Sequence, residues 1–166
     1  MRKIIVALVL VSSLAVGCHK NNSNCDYDPC AVKAPASEVT QLETYLANAS
    51  ITTATKHCSG MYYTISNAGT GTAPSICSYV AVTYKGSLTN GTIFDQTTTG
   101  PVAFTLATLI EGWKKGIPLV KSGGVITLYV PPSLGYGNAD QKDRNGTVII
   151  PANSILIFEI TVVDVQ

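Results

Sequence analysis

The sequence predicts an α+β domain in which one short helix packs against a mainly antiparallel sheet of five or six strands. From residue 61 onward, segments rich in Tyr, Val, Ile and Thr alternate with turn signals, a pattern typical of β-strands. Asn90-Gly91 joins two such segments and indicates a tight hairpin. Residues 107–117 form the single helical stretch in this part of the chain, so strands dominate the prediction.

The first 17 residues are interpreted as an export signal. Two basic residues precede an apolar run, 4–16, that is too short to span a membrane as a helix. The run leads into Leu14-Ala15-Val16-Gly17-Cys18, which is similar to the bacterial lipobox, where cleavage leaves the cysteine as the lipid-modified first residue. We therefore expect a lipoprotein signal peptide at 1–17 and a protein of the bacterial cell envelope. Lipid on Cys18 would hold it to a membrane, for which we favour the outer membrane facing the periplasm. An ordinary signal peptide followed by a coincidental cysteine is the alternative.

Two segments separate this signal from the domain. Residues 18–36 are polar and are expected to form a tether between the lipid and the domain. In 37–59, Ser37 is predicted to cap a helix that is followed by a connector. The apolar residues at helical spacing are Val39, Leu42, Leu46 and Ala49. This helix either packs on the domain, which we favour, or forms a dimer interface, so both a monomer and a dimer remain open.

Residues 60–166 are predicted to form the folded domain. The expected strands are 61–66, 79–88, 101–106, 124–130 and 154–163, with a further short strand starting near Ile93. Asn90 and Gly91 both tolerate positive φ, so a two-residue turn is predicted between 79–88 and the strand at Ile93.

The cysteines after Cys18 are even in number, which favours disulfides in an exported chain. They are Cys25, Cys30, Cys58 and Cys77. Three pairings are open, and the sequence does not choose among them. We favour Cys25–Cys30, which would close a small loop, together with Cys58–Cys77. A zinc site is the rival interpretation. Its spacings are irregular and no histidine completes a ligand set, so we expect no metal.

Charge argues against nucleic acid as a partner. The formal net charge is +1, and only 13% of the residues are charged. Proteins that bind nucleic acid carry a basic surface that neutralises phosphates, and this composition does not supply one.

Four motifs follow one another in a fixed order. They are Phe94-Asp95, Leu109-Ile110-Glu111-Gly112-Trp113, Leu134-Gly135-Tyr136-Gly137 and Ile149-Ile150-Pro151. Together they resemble the FKBP-type peptidyl-prolyl cis-trans isomerases, over about residues 60–166. The resemblance implies that the sheet curves as a half-barrel around the short helix. It also implies an enzyme that accelerates X–Pro rotation in exported proteins, assists their folding and needs no cofactor.

The resemblance further implies an aromatic pocket for the proline ring, with Trp113 as its floor. The other substrate-binding residues would be Tyr84, Phe104, Leu109, Ile110, Ile150 and Phe158. Among these, Ile110 would donate its backbone N–H to a substrate carbonyl, and Ile150 would close one side of the pocket.

Three further residues are implied to be catalytic. Phe94 would form part of the pocket wall. Asp95 would place a carboxylate at the pocket edge, near the rotating imide, and the Tyr136 hydroxyl would donate to the peptide carbonyl. The implied partners are proline-containing polypeptides and macrolide inhibitors. The alternative function is a proline-segment-binding or holdase-like module that has this fold and little catalysis.

Overall fold

The structure, a computed structural model, describes residues 25–166. The predicted signal peptide 1–17, the predicted lipidation site Cys18 and the first residues of the predicted tether lie outside the described residues. Within 25–166, none of the helices is both long enough and apolar enough to cross a membrane.

The described chain forms two helices and nine strands, and the predicted α+β class is confirmed. In chain order the elements are α1 (Ala36–Asn48), β1 (Thr55–Lys56), β2 (Tyr62–Asn67), β3 (Tyr79–Leu88), β4 (Ile93–Gln96), β5 (Val102–Thr105), α2 (Glu111–Gly116), β6 (Val125–Val130), β7 (Gln141–Lys142), β8 (Val148–Ile150) and β9 (Leu156–Val165). Short 3₁₀ turns lie on both sides of α2, at Leu106–Thr108 and Ile117–Leu119, and a third spans Pro132–Leu134.

Seven strands form one open sheet, in the order β1-β2-β6-β9-β3-β4, and every pairing in it is antiparallel. β5 also pairs with β3, so β4 and β5 lie end to end along one edge of that strand. β7 and β8 form a separate hairpin. The sequence prediction missed β1, β7 and β8 because segments of two or three residues are too short to show a period.

The two faces of the sheet carry different helices. Alternation along β6 and β9 sends Leu128 and Phe158 into the main core, on the side of α2. The same alternation sends Tyr129 to the opposite face, where it packs with Leu42 and Leu46 of α1. The favoured interpretation, that α1 packs on the domain, is therefore confirmed.

α2 lies close to β6 because two glycines face that strand. A β-carbon at Gly112 would come within 2.7 Å of the Val130 side chain, and one at Gly116 would overlap the side chain of Leu128. Real β-carbons do not approach other atoms so closely, so a larger residue at either position would push the helix away from the sheet.

The helix predicted at 107–117 is wrong in its extent. Leu106 is tied to the β3 edge, since its N–H donates to the Ser78 carbonyl at 3.0 Å. The chain makes one 3₁₀ turn there and then extends through Leu109 and Ile110, whose ψ angles are 172° and 153°. Helix α2 starts only at Glu111.

The predicted cap of α1 is also wrong. The helix starts at Ala36, Pro35 occupies the N-cap position, and no side chain caps the first turn. The Pro35 carbonyl instead accepts the N–H groups of Glu38 and Val39, both at 3.1 Å. Because proline has a fixed φ, it starts this helix without help from the Ser37 hydroxyl.

The predicted hairpin between β3 and β4 is confirmed, but its turn has three residues instead of two. The Leu88 N–H donates to the Thr92 carbonyl, and the Gly91 N–H donates to the Leu88 carbonyl, both at 2.9 Å. Gly91 has a φ of +86°, whereas Asn90 does not take a positive φ. The Asn90 side chain accepts the Thr92 N–H at 3.0 Å instead, which stabilises this longer turn.

The favoured disulfide pairing is wrong. Cys25 pairs with Cys77 and Cys30 pairs with Cys58, across separations of 52 and 28 residues. The favoured pairing closed a small loop with Cys25 and Cys30 and joined the entry of the domain to the start of a strand with Cys58 and Cys77. The folded chain instead places residues 25–35 along the domain and brings distant cysteines together. We call residues 25–35 the N-terminal strap. They include part of the predicted tether, and the exact boundary of that tether stays a prediction.

Candidate functional site

A cavity of about 130 Å³ opens on the α2 side of the sheet. Its lining residues are Tyr84, Asp95, Phe104, Leu109, Ile110, Trp113, Tyr136 and Phe158. All eight are among the ten residues that the sequence predicts for the pocket. The fold therefore gathers them at one place from six separate segments of the chain, whatever their roles.

Trp113 is the centre of the aromatic cluster. Its ring centroid lies 5.1 Å from that of Tyr84, 5.3 Å from Phe158 and 5.9 Å from Phe104, and all three contacts are edge-to-face. Such pairs contribute about 0.5–1.5 kcal/mol each beyond the burial of area. Trp113 is only 5% exposed, so the rings hold one another and keep the cavity floor fixed.

The sheet register explains how the walls meet. Tyr84 lies opposite Ile160, and Gly86, two residues on, lies opposite Phe158, so Tyr84 and Phe158 project from neighbouring strands near the same point. Phe104 joins them from β5, which pairs with the other edge of β3. Trp113, on α2, contacts the aromatic side chains from all three strands, β3, β5 and β9.

One short hydrogen bond organises the polar edge of the cavity. The Tyr84 hydroxyl donates to Asp95 Oδ2 at 2.6 Å. Burial, and then the bond to Asp95 and its negative charge, raise the pKa of Tyr84, so the hydroxyl stays protonated at neutral pH. Burial, and then the charge of Asp95, also raise the pKa of Tyr136, whose side chain is 41% exposed on the rim. The edge thus offers one carboxylate and two phenol hydroxyls.

The cavity mouth also holds a backbone donor. The Ile110 carbonyl accepts the N–H groups of Trp113 and Lys114, at 3.0 and 3.1 Å, and so starts α2. The Ile110 N–H itself makes no hydrogen bond to any part of the chain that the structure describes. The buried indole Nε1 of Trp113 likewise has no acceptor among residues 25–166. A ligand carbonyl at the mouth could therefore accept the Ile110 N–H, whereas the indole Nε1 is buried.

Two predicted residues are not among the lining residues. Phe94 lies across Gly86, where a β-carbon would come within 2.7 Å of its ring, and packs edge-to-face on Phe158 at 5.6 Å. It supports the cavity wall from behind. Ile150 is 4% exposed and belongs to the main core.

The sequence reasoning missed a charged cluster beside the cavity. Glu111, which follows Ile110, accepts hydrogen bonds from Lys114 and Lys115 on its own helix and from Tyr27 on the strap. The Glu-x-x-x-Lys spacing of Glu111 and Lys115 was a readable signal for an ion pair. Tyr27 left no such signal, because 84 residues separate it from Glu111.

No group of three or more His, Cys, Asp or Glu side chains converges into a possible metal site within residues 25–166. The lining of the cavity, described above, consists of aromatic and aliphatic side chains with a polar edge. This arrangement suits binding of an apolar ring that is flanked by peptide carbonyls.

Comparison with known sequences supports the family resemblance that the motifs indicated. The sequence model of the FKBP-type peptidyl-prolyl cis-trans isomerases matches residues 71–163, more than half of the chain. The isomerase FkpA of Buchnera aphidicola is 43% identical over 112 residues, which cover 66% of this chain and 44% of the relative. FkpA of Escherichia coli is 40% identical over 109 residues, which cover 64% of this chain and 38% of the relative. The chain thus spans about two fifths of the length of these curated relatives.

Solved structures agree with the fold. The crystal structure of FkpA from Escherichia coli has a TM-score of 0.66 and 34% identity, and the match covers 79% of this chain and 60% of that chain. A peptidyl-prolyl cis-trans isomerase from Pseudomonas syringae pv. tomato also has a TM-score of 0.66, with 28% identity over 81% of this chain and 98% of that chain. With the matched segment, the curved open sheet and the short helix all in agreement, the chain belongs to the FKBP-type peptidyl-prolyl cis-trans isomerase family.

Proposed function

We propose that this protein is a peptidyl-prolyl cis-trans isomerase that accelerates X–Pro rotation in exported polypeptides and so assists their folding. The observation that carries the proposal is the cavity floored by Trp113, which offers aromatic faces with a polar edge. Membership of the family supports the same activity.

The reaction breaks no bond. Resonance in the peptide unit gives a rotation barrier of roughly 18–20 kcal/mol, while the cis and trans X–Pro forms differ by only about 0.5–1 kcal/mol. A catalyst therefore needs to stabilise the twisted amide relative to the planar one. Neither a nucleophile nor a cofactor is required for this.

In the proposed binding mode, the proline ring rests on Trp113 between Tyr84, Phe104 and Phe158. The planar amide is more charge-separated than the twisted amide, so an apolar surrounding disfavours the planar form and lowers the barrier. Phe94 acts from behind through Phe158, and Ile150 supports the same wall from the core.

Polar groups at the edge would fix the flanking carbonyls. The Ile110 N–H has no partner among the described residues and would donate to one carbonyl, and the Tyr136 hydroxyl would donate to another. Asp95 holds the Tyr84 hydroxyl at 2.6 Å and presents its carboxylate near the rotating imide. Fixing both ends of the substrate leaves the X–Pro bond as the one free rotation.

The cis-to-trans rate of an apolar X-Pro-Phe peptide with the full-length chain tests the proposal. We expect acceleration that a macrolide inhibitor of this family abolishes. Tyr136→Phe and Asp95→Val should each reduce kcat/KM by about tenfold, because each removes one polar interaction with the substrate or with Tyr84. Tyr79→Phe is the matched control, since Tyr79 is 59% exposed and lies outside the cavity. Folded Tyr136 and Asp95 variants with the wild-type rate would contradict the assignment.

The same chain tests the alternative, a proline-binding module. Trp113 is the only tryptophan in the sequence, so its fluorescence reports directly on peptide bound in the cavity. Binding without acceleration would favour the module, and acceleration favours the enzyme.

We also propose that lipid on Cys18 holds the protein to a bacterial envelope membrane. In this layout the segments are the tether 18–36, the helix and connector 37–59 and the isomerase domain 60–166. Two disulfides between described residues support an oxidising compartment. Cys18→Ser should move the protein from the membrane fraction to the soluble fraction and remove the lipid mass from its first peptide. Unchanged partitioning and mass would contradict lipidation.

A further inference from the structure

The N-terminal strap delivers one tyrosine to the start of α2. The Tyr27 hydroxyl donates to Glu111 Oε2 at 2.8 Å and accepts a hydrogen bond from Lys115 Nζ at 2.6 Å. Lys115 Nζ also lies 5.0 Å from the centroid of the Tyr27 ring and 2.5 Å from Glu111 Oε2. The three side chains therefore close a ring of contacts between the strap and the helix.

Burial makes this contact specific. The Lys115 residue is 1% exposed, and Glu111 is its only carboxylate partner among the described residues. A buried ammonium is costly without acceptors, so Lys115 holds Glu111 and the Tyr27 hydroxyl at defined positions. Lys114 contributes a second ion pair to Glu111 at 3.0 Å. Two further titratable groups lie nearby. Asp28, the next residue on the strap, helps to raise the pKa of Tyr27, after burial and Glu111. The pKa of His57 is lowered by burial and by the charge of Lys115.

Covalent links fix the strap on both sides of Tyr27. Cys25 is bonded to Cys77 and Cys30 to Cys58. Tyr27 therefore has little freedom to leave Glu111. It also lies before residues 71–163, the segment that the family model matches.

The cluster adjoins the cavity mouth along the chain. Glu111 is the first residue of α2 and directly follows Ile110, whose carbonyl starts the helix by accepting the Trp113 and Lys114 N–H groups. Residues 110–113 thus contain Glu111 with its contacts to Tyr27 and Lys115, Trp113 at the cavity floor, and the Ile110 N–H, which has no partner within residues 25–166. Displacement of Glu111 would move the other two.

We propose that Tyr27 is a positioning residue for the cavity: its hydroxyl fixes Glu111 and thereby holds the Ile110 N–H and Trp113 in register for a bound proline-containing peptide. This inference rests on the proposed function of the cavity. Tyr27 does not line the cavity, so it acts through Glu111 and the first turn of α2.

Tyr27→Phe in the full-length chain removes the hydroxyl and keeps the ring over Lys115. The matched control is Tyr62→Phe, because the Tyr62 hydroxyl also donates to a glutamate, Glu43, at 2.7 Å and its ring also faces a lysine, Lys56, at 5.7 Å, but on the α1 side of the sheet. The measurements are KM and kcat for an X-Pro-Phe peptide, the peptide Kd from Trp113 fluorescence, and the amide chemical shift of Ile110.

We expect Tyr27→Phe to raise KM and Kd by about three- to tenfold, through the misplaced donor. kcat should change less, because the Ile110 donor serves the ground state and the transition state alike. The Ile110 amide resonance should shift, and Tyr62→Phe should change none of these values. A Tyr27→Phe protein that melts earlier but keeps the wild-type KM, Kd and Ile110 resonance would overturn the proposal.

The outcomes separate this inference from the proposed function. A wild-type chain that binds the peptide without accelerating its isomerisation would refute the proposed enzyme. Weaker binding by Tyr27→Phe would then still support the positioning role, and equal binding would overturn it.

Discussion

Among residues 25–166, Glu43 and Glu111 each contact one tyrosine and at least one lysine, and these two clusters differ mainly in burial; Glu111 also pairs with a second lysine, Lys114. On the α1 side, Tyr62 and Lys56 reach Glu43 at 2.7 and 2.8 Å, with Lys56 53% and Glu43 43% exposed. Beside the cavity, Tyr27 and Lys115 reach Glu111 at 2.8 and 2.5 Å, with side-chain exposures of 0% for Lys115 and 25% for Glu111. The distances are nearly equal. Exposed ion pairs contribute little because water and salt compete for both partners, whereas the buried cluster must stay paired.

The clusters also differ in what brings their members together. Lys56 and Tyr62 are paired neighbours on β1 and β2, and Glu43 comes from α1, 13 residues before Lys56. Strand pairing and the apolar packing of Tyr62 against the Leu42 and Leu46 cluster also hold those elements together. Tyr27 has no strand or helix to hold it and depends on two disulfides. The same chemical groups therefore add a surface contact on the α1 side, whereas beside the cavity they attach the strap to α2.

Removal of the Cys30–Cys58 disulfide should have the largest effect, because it frees the strap that carries Tyr27. Replacing Cys30 and Cys58 together by Ser frees a loop of 28 residues and should lower the free energy of unfolding by about 3.5 kcal/mol on the chain-entropy model. The strap should loosen and the contact of Tyr27 with Glu111 should weaken. Urea unfolding measures the first effect, and hydrogen exchange at the amides of α2 measures the second. Faster exchange in α1 with unchanged exchange in α2 would contradict this prediction.

Replacing one lysine in each cluster should have an effect of intermediate size on stability and should show whether burial separates the two clusters. Lys115→Met keeps the length of the side chain but leaves the Tyr27 hydroxyl and Glu111 each short of one partner. We expect the free energy of unfolding to fall by about 2 kcal/mol, because Glu111 keeps Lys114 and some contact with solvent. Lys56→Met should leave it unchanged within error. Equal changes in the two variants, measured by chemical denaturation, would show that burial is not what separates the clusters.

The smallest expected difference between the two clusters is in how the pKa values of Glu111 and Glu43 respond to salt. Burial raises the pKa of Glu111, but hydrogen bonds from Lys115, Lys114 and Tyr27 outweigh it and lower that pKa from 4.5 to about 2. A carboxyl with a lowered folded pKa stabilises the protein above its ordinary pKa, so this contribution is complete above about pH 4.5 and is lost as the pH falls toward about 2. Hydrogen bonds from Lys56 and Tyr62 also lower the pKa of Glu43, at the surface.

Carbon NMR titrations of the two carboxyl groups at low salt and at about 0.5 M NaCl measure this difference. Salt screens exposed charges far more than buried ones. The pKa of Glu43 should move back toward its ordinary value at high salt, and that of Glu111 should stay low. A parallel change in both would contradict the contrast.

The sequence predicted the central strand of the site and all eight residues that line the cavity, including Leu109, Ile110 and Tyr136, which lie outside the helices and strands. β3 has the predicted bounds of 79–88 because it is a long run of β-formers ended by a turn. The family resemblance carried by the motifs around Asp95, Trp113 and Tyr136 implied ten pocket residues, of which Phe94 and Ile150 do not line the cavity. These signals are local, and each is readable within a dozen residues.

The parts that escaped prediction depend on the path of the chain through space. The disulfide pairs and the contact of Tyr27 with Glu111 join segments 28 to 84 residues apart, where no local pattern specifies the partner. The extended backbone at Ile110 was hidden because the helical spacing of apolar residues continues through it. The Leu106 N–H is bonded instead to the Ser78 carbonyl beside β3, a contact that no local pattern predicts.

The glycine face of α2 has a consequence for the depth of the cavity. Gly112 and Gly116 set the separation of helix and sheet, and Trp113 lies between them on the same helix. A thicker residue at either glycine would lift the indole outward and make the cavity shallower, without changing any atom that a ligand touches. The depth of the cavity is thus governed from its far side, where Val130 and Leu128 meet the helix.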